Sequence, residues 1–243
     1  MGEPADRPAF YALDAGGWRD YWSLLHPPYT LWHLSYIVIG ACIAPVVNVG
    51  WLFETALAFF LAMGLAAHAL DELNGRPLRT RIPDGVLSAI AVVGLAGAFA
   101  LGIHGAIMVS PWLWAFIAVG GFLVVAYNLE LFGGAFHSDL WFALAWGAFP
   151  ALTAYFAQTA TIRAEAVLVA GACASLSAAQ RVLSTPVRRL RRKVASVTGE
   201  VVTTDGAREP IDASSLRAAP EGALRWLSVA VPLFAAALLL TRI

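Results

Sequence analysis

The sequence predicts an all-α, polytopic membrane helix bundle of about seven transmembrane helices. Three observations predict it. Of 243 residues, 59% are hydrophobic and 13% are charged, about half the ~25% charged share of soluble domains. The mean hydropathy is +0.70. The apolar residues gather in runs of about 20, the length that carries an α-helix across ~30 Å of hydrocarbon. A soluble domain of this composition would lack polar side chains to cover its surface. An ordinary soluble enzyme, a nucleic-acid-binding domain and a disordered chain are therefore excluded. The ten-residue alternation of membrane strands is absent, so a barrel does not fit.

The elements follow in order. Residues 1–28 read as a cytoplasmic tail and an interfacial helix. Residues 1–9 carry Glu3, Asp6 and Arg7 and do not read as a secretory signal. Trp18, Tyr21, Trp22 and Leu25 stand at i, i+3, i+4, i+7. That aromatic face suits the headgroup layer and predicts a helix over 10–26, ended by His26-Pro27-Pro28. A bundle over 29–185 follows, with spans near 29–48, 52–71, 85–108, 111–130, 139–160 and 164–184. Ser110-Pro111 makes a tight turn with Pro at a helix start. Gly64, Gly94, Gly97, Gly120, Gly121 and Gly147 suit close helix contact in lipid. Cys42 and Cys173 lie in apolar runs without metal-ligand spacing and read as small packing residues. Residues 186–222 form a polar insert, opening on the basic run 188–193, which suits anionic headgroups. Within it, the Val- and Thr-rich stretch 194–204 before Asp205-Gly206 suggests a short hairpin. The last segment, 223–243, carries the seventh span, 223–241.

Charge distribution sets the orientation. Sixteen Lys and Arg balance sixteen Asp and Glu, so no bulk electrostatic partner is implied. Threading seven spans from a cytoplasmic N-terminus leaves only Arg163 and Arg242 among the cations on the far side. That is a strong positive-inside pattern. It predicts a cytoplasmic N-terminus and a C-terminus on the opposite side. Of the acids, only Glu54 and Glu165 fall outside.

Three helix ends on the cytoplasmic side carry most of the candidate chemistry. At the end of span two, His68, Asp71 and Glu72 stand at i, i+3, i+4 and share one face. Ionisable groups at membrane depth are costly and often functional. The loop beyond offers Arg76, Arg79 and Arg81, whose planar donors suit phosphate oxygens. Carboxylates that bind Mg²⁺ beside arginines that bind phosphate would stabilise a leaving diphosphate. The alternative is a solvated helix end. At the end of span four come Tyr127, Asn128 and Glu130, then His137, Ser138 and Asp139. Here a belt tyrosine and an N-cap at Asp139 are the alternative. Span six ends in Ser177, Gln180, Arg181 and Ser184, a polar face without a carboxylate. It suits hydrogen bonding between helices, or an anion. His33 reads as a structural histidine, and His104 and Glu54 as interface residues.

These residues resemble the UbiA superfamily of intramembrane prenyltransferases. Residues 18–45 look like that family's entry segment and first helix. Span two ends in a polar motif where the family has Asn-x-x-x-Asp. Thr80-Arg81-Ile82-Pro83-Asp84-Gly85 matches the opening of its third helix. Residues 127–139 are similar to its Tyr-rich helix end and the Asp that opens helix five, and Ala145-Trp146-Gly147-Ala148-Phe149-Pro150 fits the same helix. The resemblance covers about residues 18–185. His68 stands where the family usually has Asn, Glu72 at the first Asp and Arg76 at the second, with Asp71 one place off. The second Asp-rich motif has no counterpart in 177–184, and seven spans are counted where the family typically has nine.

The resemblance implies a transferase acting on a prenyl or polyprenyl (di)phosphate at the cytoplasmic face, with an unknown acceptor. Asp71 and Glu72 would hold Mg²⁺, with His68 beside them. Arg76, Arg79, Arg81 and Arg181 would contact phosphate. Tyr127 and Asp139 would position substrate. Two related expectations stand beside it: cyclisation of the prenyl chain, and a non-catalytic protein that binds an isoprenoid or lipid or scaffolds partners. A transporter is a weaker fit, since no repeat halves or midplane helix breaks are evident.

Overall fold

A computed structural model describes residues 7–243. The expected tail reading of residues 1–6 lies outside the described residues. The chain forms α1 (Trp18–Leu24), α2 (Pro27–Cys42), α3 (Val49–Leu73), α4 (Asp84–Met108), α5 (Leu113–Asn128), α6 (Asp139–Thr159), α7 (Ala164–Arg192), β1 (Gly199–Val202), β2 (Arg208–Ile211) and α8 (Ala213–Leu240). Five helices, α3, α4, α6, α7 and α8, are long and apolar enough to cross a membrane. The other two expected spans are the 16-residue helices α2 and α5. Each is about 24 Å long at 1.5 Å per residue, short of a ~30 Å hydrocarbon core.

The position of α2 explains its composition. It packs against α3, α6, α7 and α8, and Trp32, Tyr36, Ile37 and Ala41 on it are fully buried. A helix covered on nearly all sides, with only Leu31 well exposed, needs no broad lipid-facing apolar stripe, so Thr30, His33 and Ser35 are tolerated within it. Small residues set the helix spacing. A Cβ on Gly40 would stand 2.2 Å from the Ala151 carbonyl oxygen, and one on Gly147 would stand 2.6 Å from that of Cys173. Backbone contact this close holds α6 against α2 and α7. Cys42 and Cys173 are free and buried, as packing residues are.

Two helices are locally widened. The ladder of α3 opens into a π-type segment at Phe60–Ala67, and that of α6 at Leu144–Ala148. Such segments often mark functional sites.

Several boundaries differ from the sequence reading. The expected helix over 10–26 is helical only at Trp18–Leu24. Residues before it fold back as an irregular strap of turns and bends, held where the Leu13 N–H donates to Ser23 Oγ (3.0 Å). The polar insert is shorter than 186–222, because α7 runs through Pro186 to Arg192 and α8 begins at Ala213. The hairpin is present, with Gly199 opposite Ile211 and Val202 opposite Arg208. A capping box at Asp212 and Ser215 starts α8, which satisfies its first free N–H groups. Ser138, not Asp139, caps α6: its hydroxyl accepts from the Trp141 N–H at 3.3 Å.

Candidate functional site

The ends of α3, α5 and α7 and the starts of α2 and α6 meet on one side of the bundle. They surround a polar chamber of about 880 Å³. Its wall includes His26, His33, His68, Asp71, Tyr127 and Gln180. Its cations are Arg76, Arg79, Arg181, Arg188, Arg192 and neighbours Arg189 and Lys193, against the carboxylates Asp71 and Glu130. The strap, through Pro8 to Tyr11, forms a further wall.

A second cavity, of about 120 Å³, is lined mainly by apolar residues of α3, α4, α5 and α6, with Glu54, Thr55 and Thr153 among them. Met63 and Trp146 line both spaces. Each sits in one of the widened helical segments. The two cavities therefore adjoin, a cationic head region next to an apolar annexe.

The sequence-predicted residues divide into two groups. Asp71, His68, His33, Tyr127, Asn128, Gln180, Arg181 and Ser184 line the chamber, as do Arg76 and Arg79. Glu72, Arg81, Asp139 and Ser177 do not. Glu72 corrects the expectation of a paired metal site. It is 1% exposed, and its carboxylate accepts from the Leu78 N–H (2.9 Å), the Thr80 N–H (2.8 Å) and the Thr80 hydroxyl (2.9 Å). Both oxygens are occupied in shaping the loop after α3. Among the described residues, no three His, Cys, Asp or Glu side chains are placed to share an ion.

The loop arginines are also tied. Arg76 donates to the carbonyls of Thr80 (3.2 Å) and Ile82 (2.6 Å) and pairs with Asp84. The Arg81 N–H donates to Asp20 (3.1 Å), and its side chain lies outside the chamber wall. Asp139 is an exposed partner of Arg181, at 2.8 Å. Ser177 is fully buried and donates to the Tyr36 hydroxyl at 3.4 Å, so its role is to join α7 to α2.

Within the chamber, most polar groups have defined partners. His33 Nε2 donates to Gln180 Oε1 at 2.9 Å. Asn128 donates to the Val124 carbonyl at 2.7 Å. His68 Nδ1 bonds the Gly64 carbonyl at 3.0 Å, and His26 Nδ1 bonds the Leu24 carbonyl at 2.9 Å. Both rings thus keep Nε2 for other contacts, and their centroids lie 4.2 Å apart. Burial, and then His68, pushes the His26 imidazole well below its usual pKa. Burial and Tyr29 likewise push the Tyr11 phenol up. Tyr127 stacks on His137 at 4.5 Å, and its buried hydroxyl has no hydrogen-bond partner.

Sequence reasoning missed several members. The basic run suits headgroups in sequence, yet the spacing of Arg188 and Arg192 from Arg181, seven and then four residues, continues the face of Gln180 and Ser184. Tyr11 carries no spacing signal, because tertiary folding of the strap brings it in, and His26 and Tyr29 enter from the start of α2. Comparisons with protein-family models, curated proteins and solved structures find no match to this chain.

Proposed function

We propose that this chain is a UbiA-like intramembrane prenyltransferase that takes a prenyl or polyprenyl (di)phosphate. The observation that carries the reading is the adjoining pair of cavities: a cation-rich chamber and an apolar annexe that share Met63 and Trp146. An amphipathic ligand with an anionic head and an unbranched or isoprenoid tail fits that division. The chain crosses the membrane seven times in this reading, with α2 and α5 as short spans. Bundle helices shield α2 from lipid, so it need not match the bilayer thickness. The chamber faces the cytoplasm with the N-terminus, and the C-terminus lies opposite.

The donor set does not fit the Mg²⁺ site expected from Asp71 and Glu72, since Glu72 is engaged in the loop. The chemistry assigned to the chain's own residues is therefore electrostatic. Guanidinium groups hold the (di)phosphate and offset the charge that develops on it as the allylic C–O bond breaks. The rings of Tyr127 and Trp146, 5.7 Å apart and edge to face, supply π density near a developing allylic cation.

The engaged Glu72 also favours a second reading, a non-catalytic isoprenoid-binding protein. Native mass spectrometry of the protein from its own membrane tests both. A co-purifying isoprenoid (di)phosphate is expected, and ordinary glycerophospholipids alone would remove both. Release of diphosphate from farnesyl diphosphate when membrane extract supplies the acceptor separates transferase from binder.

A further inference from the structure

The chamber's most extended charged feature is a stripe on α7. Arg181, Arg188 and Arg192 project from one face of a helix with 3.6 residues per turn and all reach the chamber wall. Their known contacts leave donors over. Arg181 uses Nε on Asp139, and Arg192 uses Nε on the Pro8 carbonyl at 3.2 Å. Arg188 reaches Thr185 Oγ1 at 3.4 Å. Each guanidinium carries five N–H groups. Three like charges along one face of the chamber repel one another, and the Asp139 carboxylate offsets only that of Arg181.

An independent observation points to a ligand in the same place. Tyr127 is 5% exposed and lines the chamber, and its hydroxyl has no partner. Buried hydroxyls are nearly always paired. Arg181 and Arg188 line the same chamber as this phenol. A hydroxyl donor that shares a chamber with two guanidinium forks suits phosphate oxygens.

We infer that Arg181, Arg188, Arg192 and Tyr127 form a cradle that binds the (di)phosphate of a lipid directly, without a bridging divalent cation. This rests on reading the chamber as the site for an isoprenoid head. Mg²⁺ sites on phosphates need protein carboxylates. Here Glu72 is occupied elsewhere, and Asp71 faces a chamber crowded with cations. The arginines supply at the phosphate the positive charge that a metal would otherwise bring.

The test is calorimetric titration of the purified full chain, in detergent with EDTA, using inorganic pyrophosphate and farnesyl diphosphate as separate probes. Both are expected to bind, farnesyl diphosphate the tighter, with affinity falling as salt is raised. Tyr127→Phe and Arg188→Gln should each weaken binding about tenfold or more, the scale of a lost charged hydrogen bond. Arg81→Gln, which alters a side chain outside the chamber, should leave it unchanged. Thermal unfolding of each variant confirms that it is folded. Tyr127→Phe keeps the ring and its stacking, so it provides the readout if Arg188→Gln fails to fold. Binding that disappears in EDTA would overturn the inference, as would unchanged affinity in folded Tyr127→Phe. Equal affinity for the two probes would remove the lipid as the source of the phosphate. If farnesyl diphosphate binds only with Mg²⁺, the cradle fails while the prenyltransferase reading stands. If it binds under neither condition, both fail.

Discussion

Substituting Glu72 separates a loop-shaping carboxylate from a metal ligand. In Glu72→Ala, the N–H groups of Leu78 and Thr80 lose their acceptor, and both residues are buried, at 5% and 7% exposure. Two unsatisfied buried N–H groups at about 1–3 kcal/mol each give a loss of about 2–6 kcal/mol. The Thr80 hydroxyl can rotate to another acceptor and adds little. Glu72→Gln is the sharper change. One amide oxygen can still serve Thr80, but the NH₂ group then faces the Leu78 N–H, donor against donor. That should cost about 1–3 kcal/mol. The assay is thermal unfolding of the detergent-solubilised protein, followed by Mg²⁺ titration of the folded fraction. Both variants should unfold earlier, with Ala the worse, and Mg²⁺ affinity should not change. A Glu72→Gln protein as stable as the parent but with weakened Mg²⁺ binding would refute the loop-shaping role and restore the paired metal site.

Gly40→Ala should lower stability by at least ~1–3 kcal/mol, the scale of overpacking, because its Cβ meets the Ala151 carbonyl oxygen at 2.2 Å; unfolding in detergent measures it. Arg191 pairs with Glu221 through both oxygens, one contact at 2.8 Å, with side chains 2% and 7% exposed. Glu221→Gln should cost about 3–5 kcal/mol by removing the carboxylate charge that faces a buried guanidinium, and the double change Arg191→Met/Glu221→Leu should recover most of it. The folded-state pKa of His26 is depressed, so the unfolded chain binds the extra proton. Its contribution to stability is whole above the unfolded pKa near ~6.5 and is lost as pH falls from there toward the folded value, by up to ~1.4 kcal/mol per pH unit. Melting temperature measured from pH 8 to pH 5 should fall less steeply in His26→Asn, a residue that tolerates the left-handed backbone found there.

Helix starts with a local chemical cause were legible in the sequence. α4 and α6 open at Asp84 and Asp139, within a residue of the expected places, although the cap of α6 is Ser138 and not the expected Asp139. Asp205-Gly206 gave the hairpin for the same reason: Gly206 has φ 88°, and turn residues act within four positions of themselves. Boundaries fixed by packing were not legible. The basic run after Pro186 looks like the end of a span, yet α7 continues. A proline removes one N–H bond from a helix, and the buried anchors Val187 and Arg191 hold the next turns in place. The same continuation places Arg188 and Arg192 on the chamber wall and not at the headgroups that the basic run suggests. Charge count alone does not reveal which guanidinium faces a cavity and which faces a loop.

That distinction reorganises the candidate site. The loop after α3 spends its charged groups on its own shape. Glu72 gathers the N–H groups of Leu78 and Thr80, Arg76 gathers the carbonyls of Thr80 and Ile82, and Asp20 on α1 accepts from the N–H groups of Gly16 and Arg81. These ties have a backbone to restrain. His26, Arg76, Arg79 and Glu130 all line the chamber with positive φ, between 46° and 56°. Left-handed geometry at a residue other than glycine costs about 1–3 kcal/mol and persists only where the surroundings over-determine it. Glu72 and Arg76, which sequence spacing offered as ligands, therefore help to hold the rim in shape. On α7 an ordinary helical backbone presents Arg181, Arg188 and Arg192 with donors to spare, and α5 adds the unpaired hydroxyl of Tyr127. The division is between a strained rim, stabilised by its own charges, and an unstrained wall whose charges remain available to a ligand.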